Sequence, residues 1–373
     1  MKERTPIKVC HICSYYENIL FDNLVCAQRG ATDPRVFFFK KHGRDIQYNK
    51  DYIDEVNCFN EIDRFFFFIK EKKACDAFLK TYPDYSFDII YAHSLFVNGY
   101  LAYKAKKQFG TPYIVMVQNT DLNVFYKYRP YLKKTGLTIM ANASRVIFAS
   151  ESYKKTLIEK YIPLKYRDVI SKKSVVIPYG IEDLFFEDQE ESSKTIKDQV
   201  RLITVGLICK NKNHVALCEA VSKLRSKGID INVTIIGKVA NDTILNRLKE
   251  FDFVNILPFM PKEELKKMYR QNHIFALTSI TETFGLVYAE ALSQQLPILY
   301  SKGQGFDGQF SEGFVGYSVD AKDINDTANG IEKIINNYET LAVRTAEASK
   351  KFRWAAVSQQ YIDVYSEITG VKQ

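Results

Sequence analysis

Two carboxylates, Glu282 and Glu290, stand eight residues apart in the otherwise mostly apolar stretch "ITETFGLVYAEAL" (residues 280–292). The preceding "HIFALTS" reads as a buried strand, which puts Glu282 at its carboxyl end. "GLVYAEALSQQ" reads as a helix with Leu286, Ala289 and Leu292 on one face. The first turn of that helix, around Thr283, Phe284, Gly285 and Leu286, presents backbone N–H groups without intrahelical acceptors and the positive end of the helix dipole. Such an end is a ready phosphate site, and Gly285 permits a close backbone approach. Glu290 sits a turn and a half further on, where an ionised acid needs partners. A pair of sugar hydroxyls would satisfy it, as acidic residues do on ribose in dinucleotide sites. The plainer alternative makes Glu282 a helix cap and Glu290 a half-exposed surface acid.

The surrounding elements must hold these groups in place. In the first half, "IKVCHICSY", "FDIIYAHS", "PYIVMVQ", "RVIFAS" and "SVVIPYG" read as strands. "NGYLAYKAKKQFG" between them is helical and ends at Gly110, a C-cap before the Thr111-Pro112 breaker. An acidic polar stretch, "EDLFFEDQEESSKTIKDQ", then reads as a linker with a boundary near residues 188–198. The pattern restarts with the strands "VRLITVGL", "DINVTIIG", "VNILPF" and "IFALTS", alternating with the helices "HVALCEAVSKLRSKG", "TILNRLKEF" and "KEELKKMYRQN". Strands that alternate with helices give a parallel sheet covered on both faces. The expectation is therefore α/β, with two Rossmann-like doubly wound domains facing a central cleft: residues 1–190, then 199–352. Ligands in such sheets bind at the carboxyl ends of strands.

Bulk properties bound the function. A chain of 373 residues, 46% hydrophobic and 26% charged, fits about two soluble domains. No run of about 18 uncharged apolar residues exists to span a bilayer. The start "MKERTPIKVCHIC" lacks an apolar signal region, which predicts a cytoplasmic protein. Seven scattered cysteines fit reduced thiols. The CxxC spacing of Cys10 and Cys13 lies inside a strand, without a second CxxC or a His pair, so it predicts no metal site. Residues 1–181 hold 29 Lys and Arg against 18 Asp and Glu, whereas the remainder holds 23 against 26. This imbalance of the net +8 points the first half toward a polyanion or an anionic membrane. Nucleic acid is the weaker partner, because the cations form no dense run and no nucleic-acid motif is present.

"TSITETFGLVYAEAL" resembles the signature of glycosyltransferase family 4, a group of retaining, sugar-nucleotide-dependent transferases with the GT-B fold. Other segments resemble the family in order: "YAHSLFVNGYLAYKAKKQFGTPYIVMVQNTDLNVF", "SRVIFASES", "VVIPYGIEDLF", "ITVGLICKNKN" and "FRWAAVSQQYIDVYSEI", the last resembling a closing helix over 353–373 that returns to the first domain. The resemblance implies that Glu290 holds the ribose hydroxyls and that Glu282 contacts the transferred sugar. It places Thr283, Phe284, Gly285 and Leu286 near sugar and diphosphate, with Gly206, Lys210 and Lys212 in the phosphate loop. Such enzymes typically need no metal or other cofactor, and no DxD stretch appears. Two positions depart from the pattern. Leu207 stands where the family usually has an Arg, with Lys210 as a point-charge substitute. Gln118 stands where many members have His; it is either a strand-end residue bonding backbone or, with Asn119, an amide serving the substrate. His93 and Asp121 are the remaining ionisable candidates beside Glu282 for catalysis, although Asp121 could equally cap the following turn.

The resemblance further implies a nucleotide-sugar donor, UDP-sugar favoured, and a glycan or lipid-linked glycan acceptor in cell-surface polysaccharide (capsule) biosynthesis. A catalytically weak GT-B subunit that binds glycan or a partner protein is the rival. An epimerase on the same fold would need more acids around the sugar carbon than the sequence offers. "RFFFFIKEKK" (residues 64–73) admits two readings, an ordinary core element or an exposed aromatic and basic anchor at a membrane interface. The Gly-rich "SKGQGFDGQFSEGFVG" (residues 301–316) lacks a GKS or GKT and reads as a flexible loop near the donor.

Overall fold

Runs of β-branched and aromatic residues, buried on both faces in the central strands, form two parallel sheets in the computed structural model, which describes residues 6–17, 19–44, 48–188 and 195–371. Two units divide the chain: Met1–Ala149 with Lys154–Pro178 and Trp354–Gln373, and Ser150–Tyr153 with Tyr179–Arg353.

The first unit is built on β1 (Ile7–Cys13), β2 (Thr32–Lys41), β3 (Ile53–Phe59), β4 (Ile89–Ala92), β5 (Tyr113–Val117), β6 (Arg145–Phe148) and β7 (Ser174–Val176). Their order across the sheet is β3-β2-β1-β4-β5-β6-β7. The reversal of order lies between β1 and β4, paired in parallel from Val9↔Ile89 to Ile12↔Ala92. Cys10 and Cys13 are buried free thiols of β1, and burial raises both thiol pKa values. Helix Val97–Phe109 ends on Gly110, whose left-handed backbone (φ 78°) lets its N–H reach the Lys106 carbonyl. Helix Trp354–Thr369 packs with this unit, where the hydroxyls of Tyr361 and Tyr91 meet at 3.0 Å in the core.

β2 and β3 have no counterpart in the sequence reading. β2 is "TDPRVFFFKK", and its apolar centre is masked by Pro34 near one end and by Lys40 and Lys41 at the other. Lys40 is buried because Glu55 of β3 accepts from its Nζ at 2.5 Å.

The second unit holds β8 (Val200–Val205), β9 (Ile231–Ile236), β10 (Val254–Leu257), β11 (Ile274–Leu277), β12 (Ile298–Ser301) and β13 (Gly316–Val319), in the order β10-β9-β8-β11-β12-β13. Leu202, Val233, Ile235, Ala276 and Leu299 from the strands pack against Leu217, Val221, Leu224, Ile331 and Ile334 from the helices to form its core. Here the reversal of order falls between β8 and β11, which sets the loops after those two strands side by side. The segment 179–188 packs with this unit, with the Phe185 ring 6.3 Å from that of Tyr269. The linker expected near 188–198 lies partly outside the described residues.

Candidate active site

The loop after β8 begins at Gly206 and runs through a short 3-10 turn, Lys210–Lys212, into helix His214–Ser226. Gly206 lies so close to the end of β9 that a Cβ on Gly237 would fall 1.9 Å from the Gly206 carbonyl oxygen. Glycine at 237 is therefore a steric requirement of this loop. The Lys212 stem passes over Gly206, with methylenes 3.5 Å from where a Cβ would stand. Its ammonium donates to Glu282 Oε2 at 2.6 Å.

Glu282 lies in the loop after β11, as its place behind an apolar strand predicts. Ser279 Oγ stands 3.3 Å from the same carboxylate oxygen, and the Thr283 amide donates to Oε1 at 3.2 Å. The backbone is clamped as firmly. Glu282 N–H donates to Gln304 Oε1 at 3.0 Å, and Gly305 N–H donates to the Glu282 carbonyl at 2.9 Å. Asn211 joins the two loops: its Nδ2 donates to the Thr281 carbonyl at 2.9 Å and its Oδ1 accepts from Thr281 N–H at 3.1 Å. The lysine and the acid are thus held by a common framework.

Helix Leu286–Ser293 starts immediately after Gly285, which takes a left-handed backbone (φ 80°). A Cβ there would lie 2.5 Å from the Tyr288 ring, which is buried and donates its hydroxyl to the Leu277 carbonyl. The N–H groups of the first turn stand at the same edge of the sheet as Lys212 and Glu282, that of Tyr288 donating to the Gly285 carbonyl at 3.0 Å. Glu290, in the middle of the helix, is 5% exposed. Tyr269 of helix Lys262–Gln271 donates to its Oε2 at 3.2 Å. Burial pushes the carboxyl up to about 7, against the pull of Lys262 and the tyrosine hydroxyl. Lys262 in turn pairs with Glu182 at 2.7 Å. Glu290 is buried, not the half-exposed surface acid of the plainer reading.

The structure sharpens other expectations. Leu207 is 45% exposed and Lys210 is exposed, so neither presents a cation fixed against the loop as Lys212 does. The 301–316 segment is packed against the second unit: Phe306 is buried on Tyr288 and Phe352, and a Cβ on Gly305 would strike the Thr283 carbonyl at 2.2 Å. It buttresses the Glu282 loop. Asn211, Gln304, Tyr269 and Gly237 are site-building residues that sequence reasoning missed. Gly237 carried a signal, as a glycine closing an apolar strand. The others carried none, because their partners are distant in the chain.

In the first unit, His93, Gln118 and Asp121 form one network. Gln118 Nε2 donates to the His93 carbonyl at 3.1 Å, the backbone bond of the simpler reading. Asp121 accepts from the amides of Leu95, Phe96 and Gln118 at 3.0, 3.2 and 2.8 Å. Burial pushes it up to about 6, opposed by those three bonds. His93 is fully buried, stacked on Tyr91 at 4.1 Å between ring centroids and 3.1 Å from His11 Nδ1. Burial, aided by His11, drives its pKa well down. Both side chains are buried: the Asp121 carboxylate is occupied by backbone amides, whereas His93 Nδ1 is buried without a hydrogen-bond partner. Asn119 bonds Asn123 on the surface. Among the described residues no three His, Cys, Asp or Glu side chains converge as metal ligands.

Residues 185–352 match the family model described as glycosyl transferases group 1. A D-inositol 3-phosphate glycosyltransferase of Mycolicibacterium smegmatis is 25% identical over 305 residues, 76% of this chain and 68% of that protein. The sucrose-phosphate synthase of Thermosynechococcus elongatus has a similar structure, with a TM-score of 0.72 at 18% identity over 98% of this chain and 100% of that one. The Anabaena protein HepE, solved with UDP-glucose, gives 0.68 at 14% identity over 97% and 100%. The fold is that of GT-B glycosyltransferases, α/β with two Rossmann-like parallel-sheet domains.

Proposed function

We propose that this chain, whose residues 185–352 match the group 1 glycosyl transferases, transfers a sugar from a UDP-sugar with retention at the anomeric carbon. The observation that carries the reading is the arrangement of Lys212, Glu282 and the start of helix Leu286–Ser293 at one edge of the sheet, with Glu290 buried behind them. Glu290 takes the ribose hydroxyls, which replace water around a carboxylate that otherwise titrates near neutrality. Lys212 and the first-turn amides take the diphosphate, and their charge lowers the barrier for its departure. Glu282 steadies the sugar while sharing Lys212.

In the step itself the acceptor oxygen bonds to the anomeric carbon on the face from which the nucleotide leaves. The bond from that carbon to the phosphate oxygen breaks, and the acceptor proton passes to the departing phosphate. No side-chain nucleophile is needed. Phosphate neutralisation by lysine and amides makes the reaction independent of metal. The acceptor is a glycan or lipid-linked glycan of cell-surface polysaccharide synthesis, in a cytoplasmic protein.

The exposed Leu207, where the family usually has Arg, favours a second reading: a weak subunit that binds glycan or a partner protein. A thermal-shift and calorimetry screen against UDP-, GDP- and dTDP-sugars separates them. Saturable binding of one class, lost in Glu290→Ala, supports the enzyme; no binding of any nucleotide sugar supports the subunit.

A further inference from the structure

The four consecutive phenylalanines do not behave alike. Phe67 is buried against the rings of Phe68, Tyr100 and Phe125. Phe65, Phe66 and Phe68 are 77%, 55% and 49% exposed, and Ile62 and Ile69 are exposed beside them. Of the two readings of this segment, the core one holds for Phe67 alone. So many large apolar side chains on consecutive exposed positions exceed the scattered exposure normal for a soluble surface. They lie in the short turn Glu61–Phe65, at Phe66 and in the first turn of helix Phe67–Thr81, which buries Phe67, Ala74 and Phe78 on its other face.

The charge around this ridge is one-sided. Lys72, Lys104 and Lys107 line a shallow hollow with Phe68 and Tyr100. Arg129 lies over the Phe125 ring at 5.1 Å, and Lys127, Lys133 and Lys134 are exposed nearby in sequence with Tyr128 and Tyr131. Residues 96–134 carry seven Lys and Arg against a single acid, Asp121, which is buried. On the phenylalanine helix, Glu71 is buried beside Lys70, and Asp63 is buried and paired with Lys73 at 2.6 Å. Of the acids between residues 61 and 80, Asp76 is exposed, and so is Glu61, which is paired with Lys41 and Arg64.

We propose that this face of the first unit docks on an anionic lipid bilayer, with Phe65, Phe66, Phe68 and Ile69 in the interfacial layer. Lys72, Lys104 and Lys107 would take the lipid phosphates. The combination selects a membrane over the alternatives. Apolar rings that gain nothing from a polyelectrolyte enter the acyl boundary, while the lysines answer the negative surface potential. The inference does not depend on the donor reading, since every residue in it belongs to the first unit and the donor side chains belong to the second.

The test is sedimentation of the full chain with phosphatidylcholine vesicles, with and without a third of phosphatidylserine, across a salt series. Binding to the anionic vesicles alone is expected, fading as salt rises because screening shortens the reach of charge. Each lysine within reach of the surface contributes about a fivefold change in partitioning, so the Lys72→Ala, Lys104→Ala and Lys107→Ala changes together should reduce it about a hundredfold. A second variant, Phe65→Ser with Phe66→Ser, alters only exposed positions and should abolish vesicle binding while leaving the melting temperature within a degree or two. Wild-type protein that stays in the supernatant at low salt overturns the proposal. So does equal binding to neutral vesicles, binding unchanged in both variants, or a concentration-dependent dimer that those substitutions dissolve.

Discussion

Replacing Glu290 by Gln should stabilise the isolated protein and disable nucleotide binding at the same time. The carboxyl is 5% exposed, and burial raises it from 4.5 to about 7. The folded state therefore binds the proton more tightly than the unfolded one. Stability attributable to this group is intact below about pH 4.5 and is lost as pH rises through 7. The gap of some 2.5 units corresponds to about 3 kcal/mol at pH 8 and above. An amide keeps the Tyr269 contact without that penalty. A kcal/mol moves the midpoint of a domain this size by about 2–4 °C, so Glu290→Gln should melt several degrees higher than wild type at pH 8 and within a degree of it at pH 5. Binding runs the other way. Ribose hydroxyls stabilise the carboxylate, so nucleotide affinity of the wild type should rise with pH up to about 7 and binding should release a proton there. The Gln variant should lose about 1.5–3 kcal/mol of affinity and all of that pH dependence. Calorimetry in buffers of different ionisation enthalpy, with melting curves at both pH values, reads every part. A Gln variant less stable than wild type at pH 8, or one that binds nucleotide with unchanged affinity, refutes the reasoning.

Lys212→Ala should weaken donor binding or turnover by about 1.5–3 kcal/mol, because it removes a phosphate cation and leaves Glu282 half-buried without its 2.6 Å partner; isothermal titration with the nucleoside diphosphate measures it. Gly285→Ala should lower stability by more than 1 kcal/mol in denaturant unfolding, since it forces a side chain onto a left-handed backbone and into the Tyr288 ring. Asp121→Ala removes the acceptor of the buried Leu95 and Phe96 amides and of the part-buried Gln118 amide and should cost roughly 3 kcal/mol of stability in the first unit, while nucleotide affinity, measured on the folded fraction, stays at the wild-type value. Transfer activity should survive excess EDTA; its abolition would contradict charge neutralisation by Lys212 and the helix amides.

Much of this was legible in the sequence because it is local. The strand-then-helix reading around Glu282 needed only an apolar run, a glycine and a helical period, and the resemblance to a known signature rested on the same few residues. β2 escaped because its apolar centre is short and framed by Pro34, Lys40 and Lys41, and the ion pair to Glu55 helps make burial of Lys40 tolerable. Residue type alone suggested that His93 and Asp121 do chemistry. Their burial is decided by tertiary partners, His11, Tyr91 and the amides at the start of helix Val97–Phe109, that lie far off in the chain or have no side-chain signal. The phenylalanine run had two readings for a related reason: a helix shows which residues share a face, but not which face its neighbours leave uncovered.

The central claim, sugar transfer from a nucleotide donor carried by the second unit's Lys212, Glu282 and Glu290, is tested most directly by following anomeric protons by NMR. Protein, a UDP-sugar and a panel of glycan or lipid-linked acceptors are mixed in the presence of EDTA. A product with the anomeric configuration of the donor is predicted, with release of UDP, and with turnover lost in Glu282→Ala, Lys212→Ala and Glu290→Ala. An inverted product, or turnover that persists in all three variants, would contradict it.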